Sequence, residues 1–128
     1  MTMDLQKYFD ETKGTGVLAT ADSYGKVDAA LYARPHVLED GTIAFIMADR
    51  LTLHNLQSNP HAAYLFVETT GMYEGKRLFL KKISEEKNSE RIKTMRRSCL
   101  CNEEKGSDGK DRYLVIFQLE KELPLIGS

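Results

Sequence analysis

Ala30-Leu31-Tyr32-Ala33-Arg34-Pro35 is an apolar run ending in an arginine and a proline; Glu39-Asp40-Gly41 follows as turn chemistry, and Thr42-Ile43-Ala44-Phe45-Ile46-Met47-Ala48 is apolar again. The segment closes with Asp49-Arg50-Leu51-Thr52 and then Asn55-Leu56-Gln57-Ser58-Asn59-Pro60. Together, residues 29–60 predict a strand, a tight turn, a second strand and a polar lead-in to a short helix. A helix start carries unpaired N–H groups and the positive end of the peptide dipoles. Arg50 and Thr52 therefore stand where a guanidinium and a hydroxyl can join those groups around an anion. The plainer alternative has Asp49 as the N-cap, Arg50 in solvent and Thr52 filling space.

Outward from this segment the pattern stays that of a small β-rich domain. Leu5, Tyr8 and Phe9 fall at helical spacing before Gly14 and Gly16, which predicts a short amphipathic helix over residues 3–13 lying outside a sheet. Residues 17–21 and 27–33 flank Asp22-Ser23-Tyr24-Gly25, as antiparallel strands joined by a hairpin do, and residues 27–33 are expected to pair with 42–48. Leu53 and Leu56 mark a helix over 50–59 that stops before Pro60. Residues 75–83 alternate as a half-buried strand. Asn88 or Ser89 caps a helix bearing Ile92, Met95 and Cys99, and 112–121 is the last strand before the apolar tail 123–127. The polar segment 102–111 reads as a loop.

Two strands, 43–47 and 62–67, are apolar on both alternating faces. With few helices available, a barrel interior on one side and a second copy of the chain on the other would cover both faces, which predicts a homodimer. The chain has 128 residues, which fits one domain over 1–128, and its 41% hydrophobic and 29% charged residues with net charge -1 suit an ordinary globular protein. No basic field points to nucleic acid, and no apolar run reaches the roughly 18 to 20 residues that span a bilayer, so a cytoplasmic protein with no membrane partner is expected. Cys99 and Cys101, one residue apart, are expected to be reduced. His36, His54 and His61 have no zinc spacing, so no metal site is expected, and no nucleophile elbow, phosphate loop or dinucleotide fingerprint occurs.

Three further residues bear on chemistry. Arg34 either faces the same cleft as the 42–48 strand or is an exposed strand-end arginine; Arg77 either reaches a cleft across a dimer interface or faces solvent; Tyr32 either stacks on a planar ligand or packs in the core.

With these residues in view, the chain resembles the pyridoxamine 5'-phosphate oxidase-like group of FMN-binding split-barrel proteins over nearly its full length. The features that carry the likeness are Gly16-Val17-Leu18-Ala19-Thr20, residues 30–35, Asp40-Gly41-Thr42, the strand through Met47, and Asn55-Leu56-Gln57-Ser58-Asn59-Pro60 with the strand from His61. The resemblance implies a mainly β (α+β) fold, a six-stranded antiparallel split β-barrel with Greek-key topology and flanking short helices. It also implies a homodimer with FMN in each of two clefts between protomers. Carried over by position, Leu31, Tyr32 and Arg34 border the flavin, Ile46, Met47 and Ala48 line its ribityl side, Arg50, Leu51 and Thr52 approach the phosphate, and Arg77 comes near the flavin, from the other subunit in one arrangement. Leu51 and Thr52 stand where many relatives carry lysine or arginine, so phosphate binding rests on Arg50, backbone amides and Thr52.

Residues 119–128 contain neither the arginine nor the histidine of the true oxidases' substrate segment, so vitamin B6 oxidation is not expected. The resemblance implies an FMN-dependent oxidoreductase acting on a small molecule, with NAD(P)H a candidate donor. No catalytic side chain is nominated, because flavin itself carries the electrons. The alternative is a non-catalytic flavin or haem carrier or sensor, for which His36 is the candidate axial ligand.

Overall fold

The computed structural model describes residues 2–95 and 110–127. Along the chain these form α1 (Thr2–Glu11), β1 (Gly14–Ala21), β2 (Val27–Leu31), β3 (His36–Val37), β4 (Ile43–Ala48), α2 (Leu51–Ser58), β5 (His61–Glu68), β6 (Gly75–Lys87), α3 (Glu90–Met95) and β7 (Arg112–Pro124). The strands pair antiparallel in one sheet, in the order β2-β1-β5-β6-β7-β4-β3. The sheet is open, with β2 and β3 as its two edges, and residues 32–35 connect one edge to the other.

The strand count is seven, not six. The extra strand, β3, is two residues long and begins directly after Pro35, too short to show alternation in sequence; it pairs His36 with Ala44 and Val37 with Ile43. β4 takes β3 and β7 as neighbours, so β2 does not pair with it as the sequence suggested. β2 pairs with β1 alone, in the hairpin the sequence predicts, with Val17 opposite Leu31 and Ala21 opposite Val27. β6 continues to Lys87 and β7 to Pro124, because the two keep pairing past irregularities between Phe79 and Leu80 and between Lys82 and Ser84. Such bulges let a strand continue where side-chain alternation has failed, and so Ser84 to Lys87 carried no strand pattern. Cys99, Cys101 and residues 102–109 of the polar loop lie outside the described residues.

The inward row of β5 is Ala62, Tyr64 and Phe66, all buried. They pack with Leu18, Phe45, Met47, Leu78, Leu80, Val115 and Phe117, and α1 adds Leu5 and Phe9 to this core. The Phe9 ring meets Phe66 edge-on at 5.2 Å between centroids, a preferred aromatic geometry. A second, smaller cluster lies on the other face of β4 and β7, where Ala44, Leu114 and Ile116 pack against Ile92 of α3, with Ile46 and Met95 alongside. Among the described residues no helix is long and apolar enough to cross a membrane.

Candidate functional site at the sheet opening

Residues 32–35, which bridge the two edges, are held from several sides. The Tyr32 amide donates to the Gly16 carbonyl at 2.9 Å, adding one more bond beyond the β1–β2 ladder. The buried Tyr64 hydroxyl lies 3.1 Å from the carbonyls of both Tyr32 and Ala33. Gly16 makes this reach possible, since a Cβ there would collide with the Tyr64 hydroxyl and ring. Arg34 turns away from the opening: its Nη1 donates to the carbonyls of Phe9 at 2.8 Å and Thr12 at 3.1 Å, which places a cation on the C-terminal end of α1.

The start of α2 sits against this connection. Arg50 is the N-cap residue, with extended backbone and no side-chain capping bond, so the carboxylate of Asp49 does not cap the helix as the plainer sequence reading had it. Asp49 Oδ1 accepts instead from Nε2 of the His54 ring at 2.9 Å, with both side chains exposed. Thr52 is buried, and its hydroxyl lies near enough to the Tyr32 phenol to act on its proton. Burial raises the pKa of that phenol, while the Thr52 hydroxyl and the positive charge of Arg50 work in the opposite direction and Asp28 adds a smaller upward push. The Tyr32 ring stands edge-on to Phe45 at 5.9 Å, which is the core-packing arrangement for this side chain.

The flank of α2 facing the β1–β2 hairpin is polar. Asn55 donates to the Thr20 hydroxyl at 3.0 Å, with both side chains buried, and Asn59 donates to the Asp22 carbonyl at 3.4 Å. A buried amide and hydroxyl that satisfy each other fix helix orientation in a way that apolar contacts do not. Leu53 and Leu56 point into the core, as their spacing predicts.

Among the remaining candidates, Leu31 is 73% exposed on the outward face of β2 and Leu51 is 58% exposed at the first turn of α2. Met47 is buried in the main core while Ile46 joins the cluster under α3, so the alternation of β4 sends these two side chains to opposite faces. Ala48 ends β4, opposite Arg112, and is half-buried. Arg77 stands on β6, where Nε donates to the Pro124 carbonyl at 2.9 Å and Nη2 to the Gly127 carbonyl. Within the chain the fold thus brings together Tyr32, Arg50 and Thr52, whereas Arg77 lies three strands from β2 in the sheet.

No protein-family model and no curated protein matches this sequence. Solved structures do. An FMN-binding protein from Syntrophomonas wolfei is 19% identical and aligns over 100% of this chain and 90% of its own, with a TM-score of 0.75. A pyridoxamine 5'-phosphate oxidase-like protein from Listeria innocua is 18% identical over 97% of each chain, with a TM-score of 0.64. The chain has the split-barrel fold of the pyridoxamine 5'-phosphate oxidase-like proteins. HutZ, the haem storage protein of Vibrio cholerae, is also similar to this split barrel, at 16% identity over 94% of this chain and 92% of its own with a TM-score of 0.59.

Several residues that shape the opening of the split barrel carried no individual signal in the sequence. Tyr64 reads as one apolar-compatible position in a strand, and only the folded sheet shows its ring passing over Gly16 to bring the hydroxyl to the Tyr32 and Ala33 carbonyls. Thr20 and Asn55 lie 35 residues apart, and their pairing depends on the packing of α2 over β1. The available clue was local: Asn55 falls between Leu53 and Leu56 on the buried side of a short helix, where an amide requires a partner.

Proposed function

We propose that this split barrel binds FMN in clefts formed between two copies of the chain and acts as an FMN-dependent oxidoreductase on a small molecule, with NAD(P)H a candidate donor. The observation that carries this reading is the meeting of Tyr32, Arg50 and Thr52 at the start of α2, beside the edge of the sheet. Their chemistry suits the group: a guanidinium and helix-start amides favour phosphate oxygens, and a half-buried tyrosine ring offers a flat surface at the same place. Bound there, flavin would supply the hydride or electron chemistry, and the chain's own residues would bind, orient and shield it. Leu31, Ile46, Met47, Ala48, Leu51, Arg34 and Arg77 enter this proposal as the surrounding wall, Met47 and Arg34 through backbone position, Arg77 from the second copy.

The second copy is supported by the outward face of β2, β1 and β5, whose rows are Val27, Ala29 and Leu31, then Val17, Ala19 and Ala21, then Ala63, Leu65 and Val67. None of these residues is buried. Such a continuous apolar surface favours association. HutZ favours haem as a second reading, with His36, half-buried on β3 at the sheet edge, as its candidate ligand.

The visible spectrum of the protein after incubation with FMN and removal of free ligand tests the proposal. Retained flavin bands are expected in the wild type, with Arg50→Ala weakening affinity by roughly 1.5 to 3 kcal/mol, the range for a hydrogen bond to a charged group. Equal affinity in the two proteins removes the phosphate assignment. A Soret band after incubation with hemin, without retained flavin, moves the reading to haem.

A further inference from the structure

The buried pair of Asn55 and Thr20 has no part in the proposal above, yet it sits on the helix that carries Arg50 and Thr52. α2 has eight residues, too few for a helix to hold by itself, so the rest of the fold must place it. Leu53 and Leu56 dock it on the main core, but apolar contacts have no direction and leave a short helix free to turn about its axis. The N-cap residue Arg50 makes no side-chain capping bond, so the first turn is not fixed from its own end. Direction comes from further along the helix: the Asn55 amide donates to the Thr20 hydroxyl at 3.0 Å with both residues buried, and Asn59 donates to the Asp22 carbonyl at 3.4 Å. Thr52 and Asn55 stand at i, i+3 and are both buried, so they share one side of α2. A rotation that breaks the Asn55 bond therefore also carries the Thr52 hydroxyl away from Tyr32. β1 is the common reference, because it holds Tyr32 through the Gly16 carbonyl and α2 through the Thr20 side chain.

We infer that Asn55 and Thr20 are positioning residues, whose buried bond fixes α2 about its axis so that Arg50, Thr52 and the first-turn amides meet Tyr32 at the opening. This rests on the reading of the opening as the ligand site, and it deepens that reading: the anionic end of the ligand is met by a preset geometry rather than by a flexible side chain alone. A buried amide and hydroxyl add little net stability over an apolar pair of similar shape, so what the pair contributes is direction. Neither residue touches the ligand.

Thr20→Val keeps the shape and removes the acceptor, whereas Thr20→Ser keeps the hydroxyl and removes the methyl group. Two measurements are made on the wild type and both variants: affinity for FMN, and the Tyr32 ring signals in the magnetic resonance spectrum of ligand-free protein carrying isotope-labelled tyrosine, assigned with Tyr32→Phe. The expected result is about a tenfold loss of FMN affinity in Thr20→Val, the equivalent of one net hydrogen bond, with wild-type affinity in Thr20→Ser. The Tyr32 signals are expected to move in Thr20→Val and to stay in place in Thr20→Ser. A packing role alone would change both variants alike or make Thr20→Ser the worse one, and either pattern overturns the inference, as does a loss of affinity with the Tyr32 signals unmoved. If Thr20→Val does not fold, Thr20→Val combined with Asn55→Leu removes the stranded amide as well; the same loss and the same movement are expected of it, and wild-type affinity in it overturns the inference. If the wild type takes up no FMN, the proposed function falls by itself, and the Tyr32 signals decide this point separately: movement in Thr20→Val alone supports it, and no movement overturns it.

Discussion

Two stretches of the sheet carry the same sequence signal and resolve it differently. β4 and β5 are both apolar on both faces, and each sends one row, Ile43, Phe45 and Met47 or Ala62, Tyr64 and Phe66, into the main core. The other row of β4, Ala44 and Ile46, is covered by the chain's own α3 through Ile92 and Met95. The other row of β5, Ala63, Leu65 and Val67, is covered by no helix among the described residues, and Leu65 is 37% exposed. An apolar strand face therefore states that it needs a cover and leaves open what the cover is. Here one face is closed by six residues of helix, and the other is the surface on which we place the second copy.

Breaking the closed face should have the largest effect. Ile92 is 4% exposed and is the buried anchor of α3, so Ile92→Ala is expected to destabilise the protein by about 3 kcal/mol, read from chemical denaturation, whatever the protein concentration. A cost below about 1 kcal/mol would mean that α3 is not a necessary cover for β4 and β7. On the open face, Leu65→Asp is expected to leave the folded protomer nearly as stable and to weaken self-association by about 2 kcal/mol or more, read by sedimentation across a concentration series. A variant that associates as tightly as the wild type would remove this face from the interface. The two substitutions separate stability held within a chain from stability shared between chains.

The same contrast explains what could be read from the sequence. Local signals found α1, α2, the edges of β4 and the helix carrying Ile92 and Met95, because each rests on spacing within about ten residues. They missed β3, which has two residues and owes its existence to the pairing of His36 and Val37 with β4; the β1–β2 hairpin forms as expected, but β2 was also given a pairing with β4 that the sheet does not have, since partner choice is a property of the whole sheet. Arg50, Thr52 and Tyr32 were legible as candidates because chain order alone brings a strand end near a helix start. Tyr64, Thr20 and Asn55 were not, because their partners lie about thirty residues away. Arg34 and Arg77 show the limit most plainly: an arginine near a site is easily nominated, but only the fold shows that its guanidinium meets the carbonyls of α1 or of the 124–127 segment.

The smallest expected effect separates the two faces by pH. The closed face has a polar latch: Arg91 Nη2 donates to Glu86 at 3.0 Å, and the Ser89 hydroxyl, which accepts the Arg91 amide at 3.1 Å, lies near the Glu86 carboxyl. The Ser89 hydroxyl, opposed by slight burial and aided by Arg91, holds the Glu86 carboxyl below its ordinary 4.5. A carboxyl lowered in the folded state contributes stability that is present above the ordinary value and is lost as pH falls through the folded value. Because the Arg91–Glu86 pair is partly in solvent, the amount is discounted to a few tenths of a kcal/mol. The outward rows of β2, β1 and β5 contain no carboxylate, so self-association through them has no matching loss in that acid range. Denaturation of the wild type and Glu86→Gln at neutral pH and near pH 3 checks this: the stability difference between them should be present at neutral pH and shrink in acid. A difference that stays constant would mean that α3 is held by Ile92 and Met95 alone, and that both faces of the sheet, however differently covered, are closed by apolar contact without help from charge.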